Sequence, residues 1–288
     1  MHSESATAHN KTMKKIAVFT LVFLAFYSLS AIEASAKTAP EERKLPILMY
    51  HSVLCSEIGA YTVSPERLEA DLVELKRRGY ESVTVGEVKR FLKGKGTLPE
   101  KPVLLTFDDG HYNNLYYARD LLEKHGFTAA LHVIGCFTEY SSTHEKDRPE
   151  YSHLTWDEIG ELSRSGVFEI GSHSYAMHAY KPRFGIKRKK GESEEDYERA
   201  LREDTARLER CLLEKSGVIP VSYAYPFGAY DETSERILRS LGYEVLFTCY
   251  ERINVLKFGN EAKLARLNRI NRDGTIETER FLNAHGIL

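Results

Sequence analysis

Val103-Leu104-Leu105-Thr106-Phe107-Asp108-Asp109-Gly110 is an apolar run that ends on two adjacent acids and a glycine. A short apolar run stopped by Gly reads as a buried strand. Two carboxylates at the end of such a strand are costly to bury unless something compensates them. A metal ion or a reacting proton would do so. The plain alternative is a strand ending in a solvated acidic turn, because Asp-Gly is a common turn pair. The flanking sequence decides between the two.

Outward from this strand, helices and strands alternate. Pro46–Tyr50 is a strand candidate that runs straight into His51. Ser64-Pro65-Glu66 carries an N-cap, a first-turn Pro and a first-turn acid, so a helix starts there and continues through Leu68, Leu72 and Leu75. Helices are also expected around Ala118–Leu122, from Thr155 through Trp156, Ile159 and Leu162, from Glu195 to Lys215, and over Glu232–Leu241. Strands are expected at Thr128–Gly135, Phe168–Gly171, Val221–Tyr225 and Glu244–Thr248, with a weaker one at Leu264–Ile270. Residues 138–153 read as polar and irregular. The alternation implies one α/β domain, 46–288, with a largely parallel sheet, and seven or eight units imply a (β/α) barrel. Active sites in barrels lie at strand C-termini. His51, Asp108-Asp109, Ser172-His173 and Tyr225-Pro226-Phe227 all stand at such ends.

The chain has 288 residues, 42% hydrophobic and 28% charged, with a formal net charge of −2. That balance gives no support for a nucleic-acid binder. Lys14-Lys15, the apolar run Ile16–Ile32 and Ala34-Ser35-Ala36 describe a secretory signal peptide over 1–36, or an uncleaved N-terminal membrane tether. Residues 37–45 read as a linker. The bulk of the protein is therefore expected to be secreted or to face the cell wall from the outer side of the membrane. Cys55, Cys136, Cys211 and Cys249 show no C-x-x-C spacing and read as free thiols. The basic run Lys181–Lys190 reads as a solvated loop balanced by Glu192, Glu194 and Glu195, with steering toward an anionic polymer as the other use.

His173 and His178 stand in Gly171-Ser172-His173-Ser174-Tyr175-Ala176-Met177-His178. Imidazole is the commonest protein metal ligand, and two His with one carboxylate suit a catalytic zinc site that leaves a position open. A surface His178 is the bland alternative, because a five-residue interval matches neither a helical face nor strand alternation. Neighbouring strand residues point to opposite faces, so Asp108 and Asp109 are not a facing glycosidase pair. They can divide the work, one on a metal and one on a proton.

Thr106-Phe107-Asp108-Asp109-Gly110, the Ser172-His173 motif and Tyr223-Ala224-Tyr225-Pro226-Phe227-Gly228 together resemble the polysaccharide deacetylases of carbohydrate esterase family 4, the NodB-homology domain, over residues 46–271. The resemblance implies a distorted (β/α) barrel and removal of N-acetyl groups from N-acetylglucosamine-containing glycans with a divalent metal, often zinc. It implies Asp108 as general base and Asp109, His173 and His178 as metal ligands. Three features depart from the commonest family pattern. The second histidine comes one residue late, with Met177 in its usual place, as in the subgroup acting on poly-β-1,6-N-acetylglucosamine. No Arg stands ahead of Pro226. The C-terminal Leu-x-His motif is replaced by Arg266-Leu267-Asn268-Arg269-Ile270-Asn271. His51 resembles the acid of the same subgroup, with His285 as a distant rival. Tyr225, Pro226 and Phe227 are expected to wall the sugar site, and Trp156 to pack. An O-acetyl esterase on the same barrel and a non-catalytic glycan binder are the alternatives.

Overall fold

The computed structural model describes residues 42–144 and 148–288. The expected signal peptide or anchor lies outside the described residues. Glu42–Leu45 (β1), the last part of the expected linker, is a strand. It is held by a partner far along the chain that its polar sequence does not advertise. The buried run Ile47–Tyr50 (β2) follows, then two short strands, Ser52–Val53 (β3) and Thr62–Val63 (β4), that pair with each other beside the barrel mouth.

Ser64 caps Pro65–Arg77 (α1) as expected, its hydroxyl accepting from the Arg67 amide at 3.1 Å, while Leu68, Leu72 and Leu75 face the core. Glu81–Ser82 (β5) leads to Val85–Leu92 (α2), started by a reciprocal Thr84–Glu87 capping box. The pivotal strand is Pro102–Phe107 (β6), buried at every residue. Arg119–His125 (α3) follows one π-helical turn and stops at left-handed Gly126. Next come Ala129–Val133 (β7), Gly135–Thr143 (α4), Trp156–Ser165 (α5) and Phe168–Ser172 (β8). Helix α4 occupies part of the stretch expected to be irregular, and it starts without a side-chain cap, so no local signal marks it.

The chain closes with Glu194–Cys211 (α6), Tyr223–Ala224 (β9), Glu232–Ser240 (α7), Leu246–Phe247 (β10), Asn254–Lys257 (β11), Ile270–Asn271 (β12) and Thr278–Ala284 (α8). Strand β11 is the antiparallel partner of β1. Among the described residues no helix is long and apolar enough to cross a membrane.

The main sheet runs β10-β9-β8-β7-β6-β2-β12, every pairing parallel, with β5 alongside the start of β6. Its two ends are joined through one segment. The Leu267 amide donates to the Leu246 carbonyl at 3.0 Å, and the Arg272 amide donates to the Met49 carbonyl at 2.9 Å. The result is the distorted barrel that the resemblance implies.

Strand alternation sorts the side chains into two faces. Leu48, Tyr50, Leu105, Phe107, Leu131 and Ile170 pack outward under the helices. Ile47, Leu104, Ala130, Ala224 and Phe247 pack inward, against α2. Two residues beyond each inward position, on β2, β6 and β7, stand Met49, Thr106 and His132, and beyond those His51 and Asp108. The pairing Tyr50↔Phe107 sets His51 beside Asp108. The pairing Phe107↔Leu131 sets Asp108 beside His132.

Candidate active site and metal centre

Asp108 is 2% exposed, yet its carboxyl is fully engaged. Arg269, 0% exposed, donates from Nη1 to Oδ1 and from Nη2 to Oδ2, both at 2.7 Å. This fork is the strongest geometry available to a carboxylate. His132 Nδ1 lies 3.1 Å from Oδ1, and its Nε2 lies 3.0 Å from Ser222 Oγ. Burial alone would raise the Asp108 pKa, but the Arg269 guanidinium and the neighbouring histidines hold it well below the ordinary carboxylate range. Arg269 is itself steadied by the Thr248 carbonyl at 3.1 Å and by Cys249 Sγ at 3.7 Å. The motif reading found no arginine for Asp108 because it looked ahead of Pro226. The arginine arrives instead with the segment that closes the barrel.

Room for His132 is a backbone matter. A Cβ on Gly171 would stand 2.4 Å from His132 Cδ2 and 2.8 Å from Ser222 Oγ. Glycine on β8 therefore leaves room for the imidazole to reach across to Ser222. His132 escaped the sequence reading, although a histidine two residues after the inward-facing Ala130 was the available signal.

Asp109 leaves the strand direction altogether. Its φ is +72°, followed by Gly110 at +71°, so the backbone turns left-handed where the two acids part. The Asp109 carboxyl thereby faces His173 and His178. His173 Nε2 is 3.6 Å and His178 Nε2 3.5 Å from Asp109 Oδ1. Asp109 Oδ1 is buried and accepts no hydrogen bond among the described residues. His111 Nε2 lies 3.5 Å from the other oxygen. His173 Nδ1 sits 2.8 Å from the Ala224 carbonyl, which can only accept, so Nδ1 carries the proton and Nε2 presents its lone pair. Burial pushes the His173 pKa down to about 4, which keeps that lone pair free at neutral pH.

The three ligand atoms lie within 4.8 Å of one another. An orphaned carboxylate oxygen, a tautomer-fixed imidazole and a second imidazole fit a divalent cation, and the N₂O donor set suits zinc.

His51 stands at the end of β2, its Nδ1 buried with no hydrogen-bond partner among the described residues. Tyr61 packs edge-on against its ring at 4.9 Å. Burial pushes the His51 pKa down, while Asp109 and Asp108 pull it up. Its rival, His285, is bonded to the Phe281 carbonyl at 2.9 Å and does not line the site.

These groups open onto a cavity of about 490 Å³, lined by His51, Tyr61, Asp108, Asp109, His111, His173, His178, Tyr180, Phe184, Phe227, Glu251 and others. Of the three residues expected to wall the sugar, only Phe227 lines it. Tyr225 is fully buried, stacked on Tyr230 at 4.4 Å, and Pro226 is buried too. The reason is local: Tyr225 still follows the inward and outward rhythm of the strand, whereas Phe227 has a φ of +57° that turns its ring to the mouth. There Phe227 stacks with Tyr180 at 4.5 Å and Phe184 at 5.3 Å. Those two rings come from the basic run 181–190 and its flank. That run is less solvated than expected, because Arg183 is buried and forks onto Glu192 at 2.9 and 2.6 Å. Trp156 packs as expected, 4% exposed. All four cysteines are free.

A family model described as polysaccharide deacetylase matches residues 95–246. Among curated proteins, the poly-β-1,6-N-acetyl-D-glucosamine N-deacetylase of Escherichia coli K12 is 25% identical over 215 residues, covering 65% of this chain and 31% of that protein. The putative polysaccharide deacetylase YxkH of Bacillus subtilis is 28% identical over 202 residues, covering 70% of this chain and 63% of its own length. The chain thus spans less than two thirds of these relatives. Among solved structures, IcaB from Ammonifex degensii is 30% identical with a TM-score of 0.66, covering 80% of this chain and 92% of that one. A de-N-acetylase from Aggregatibacter actinomycetemcomitans, 22% identical, shares the fold with a TM-score of 0.70 over 83% of this chain and 99% of that one.

Proposed function

Because the chain belongs to the polysaccharide deacetylase family, we propose that it is a secreted or membrane-tethered, metal-dependent hydrolase that removes N-acetyl groups from an N-acetylglucosamine polymer of the cell wall or a biofilm. One observation carries the reading. Two adjacent carboxylates, Asp108 buried and Asp109 half-buried, are provided for in opposite ways, Asp108 by the Arg269 fork and Asp109 by the imidazoles of His173, His178 and His111, with one buried oxygen that accepts no hydrogen bond among the described residues.

Asp109, His173 and His178 would hold the cation, zinc by the chemistry of the donors. Such a cation supplies Lewis acidity toward water and toward the acetamide carbonyl. Asp108, kept ionised by Arg269 and lining the cavity, would take the proton of the attacking water. His51, on the neighbouring strand end, would relay to the departing amine the proton that Asp108 takes from the water, since the amine would otherwise leave as a poor anion. Phe227, at the cavity mouth with Tyr180 and Phe184, would pack against the sugar ring.

The absence of an Arg in the expected place was the motive for a non-catalytic reading, and Arg269 supplies that group from elsewhere. The test is acetate release from β-1,6-linked N-acetylglucosamine, chitin-like and peptidoglycan chains with zinc or cobalt added, beside an O-acetylated glycan. Release of acetate from an N-acetyl polymer is the expected result. Asp108→Asn should abolish turnover while binding metal as the parent does. Hydrolysis of the O-acetyl substrate alone would make the protein an esterase, and loss of metal in Asp108→Asn would reverse the two aspartate roles.

A further inference from the structure

The two histidines that face Asp109 are separated by a loop, Ser174–Met177, that is itself part of no helix or strand. A five-residue interval places them on no common helix or strand face. Ser174 is left-handed, with φ +75°. Such a loop offers its N–H and C=O groups without ladder partners, so something must hold it for the imidazoles to keep their separation.

Two neighbours do. On one side the loop carbonyls are taken by the first amides of α4: Gly135 donates to Ser174 at 3.1 Å and Cys136 to Tyr175 at 2.7 Å. On the other side stands Asp204, on the face of α6. The Tyr175 amide donates to its Oδ1 and the Ala176 amide to its Oδ2, each at 2.8 Å. Both oxygens of one carboxylate are thus spent on consecutive amides midway between His173 and His178. Arg207, one turn along α6, lies with its guanidinium 3.9 Å from the centre of the Tyr175 ring and covers the same loop from outside. Inside the loop, Met177 N–H donates to Ser174 Oγ at 3.1 Å, and the Met177 side chain packs against the Tyr197–Tyr223–Tyr225 cluster. Met177 therefore serves as an anchor at the position where the commoner spacing has its histidine.

We propose that Asp204 is a positioning residue for the metal site, fixing the distance between His173 and His178 through the Tyr175 and Ala176 amides. This rests on the reading of Asp109, His173 and His178 as ligands, and it goes beyond that reading by naming what sets their spacing. A carboxylate is the right group, because it offers two acceptors to two adjacent donors and no donor that would compete. Loss of such outer support costs about 10- to 100-fold in metal affinity.

The experiment is a competition titration of Zn²⁺ or Co²⁺ against a chelator on the metal-stripped chain. It compares the parent with Asp204→Ala and Asp204→Asn, and the melting temperature of each metal-free protein is recorded alongside. Asp204→Ala should lose about 10- to 100-fold in affinity. Asp204→Asn, which keeps one acceptor oxygen, should lose less and serves as the folded comparison if the alanine variant melts early. The Co²⁺ absorption spectrum should shift in the alanine variant at saturating metal, which a merely looser fold would not produce. Parental affinity in Asp204→Ala would overturn the proposal, as would an affinity loss accounted for by earlier melting of the metal-free chain. If the parent binds metal and Asp204→Ala binds it weakly while no acetate is released by either, the positioning role stands and the deacetylase reading falls.

Discussion

An enclosed carboxylate titrates high unless a cation sits on it, so Arg269 decides the chemical state of Asp108. Both partners are removed from water, and a buried pair of this kind is far more costly to break than to replace whole. Arg269→Met keeps much of the side-chain volume and leaves Asp108 unpaired among apolar neighbours and His132. The sign of the effect follows from the causes. With the guanidinium gone, burial prevails, and the Asp108 pKa moves from well below the ordinary carboxylate value to above it. The acid limb of the pH–rate profile should therefore move to higher pH, and a loss of about 3–5 kcal/mol in stability should accompany it. Acetate release measured from pH 4 to 9, with urea unfolding of the same protein, checks both, and an unmoved acid limb would show that Asp108 is not the base. Gly171→Ala probes the other support of Asp108. Its new methyl would collide with His132. Turnover should fall at least about tenfold, the scale of one lost outer contact, with metal affinity unchanged. A tenfold loss of metal affinity instead would place His132 in support of the ligands.

Among the elements, the segment from Leu267 to Arg272 does two jobs at once. Leu267 and Ile270-Asn271 close the sheet, and their flanking arginines point to different layers. Arg269 enters the barrel, while Arg272 turns outward to Asp71 on α1, with Nε–Oδ2 at 2.7 Å and Nη2–Oδ1 at 3.0 Å. Tyr50 and Thr278 complete the partners of Asp71 at 3.0 and 2.7 Å. All of this network is buried, and it ties α1, β2, β12 and α8 together. Asp71→Ala should cost about 3–5 kcal/mol, because it leaves the Arg272 charge buried and unpaired. Denaturant midpoints measure this, and a shift under 1 kcal/mol would mean that Arg272 finds another partner. Legibility divides along the same line. Capped helices and apolar strands were readable, because Ser64 and Thr155 act within three residues of themselves. Strand β1 was not, because Glu42-Arg43-Lys44 owes its extension to β11. Asp108, Asp109, His173 and His178 were readable as motif, whereas Arg269 was not, since barrel closure rather than sequence distance brings it to Asp108. Tyr225 and Phe227 could not be told apart without the left-handed turn between them and the cavity.

For the whole molecule, the buried histidines couple folding to pH. Burial lowers the pKa of His173 and of His153 to about 4, and it lowers those of His132 and His51 as well. Each has a folded value below the unfolded value of about 6.5. Between the two values the unfolded chain binds more protons, so stability falls as the pH drops through that window. Asp108 and Asp109 act in the same direction at lower pH, since their depressed values contribute stability that is present above about 4 and lost on further acidification. Glu169, Asp204 and Glu209 oppose this, because burial raises them and protonation then favours the folded state. Going from pH 7.5 to 5.5 should therefore cost the metal-free chain about 1.4 kcal/mol for each histidine that stays neutral. His153 gives the cleanest check, since it stacks between His111 and Phe137 at 4.8 and 4.7 Å and is not one of the three residues facing the cation position. In His153→Asn the loss over this interval should shrink by about 1.4 kcal/mol while the loss due to His173 persists. Saturating zinc should steepen the dependence further, because protons then compete with the cation for its ligands. Urea midpoints of the two proteins at pH 7.5 and 5.5, with chelator and with zinc, separate these contributions. A parent whose stability is the same at both pH values in chelator would mean that these imidazoles are not held neutral by the fold.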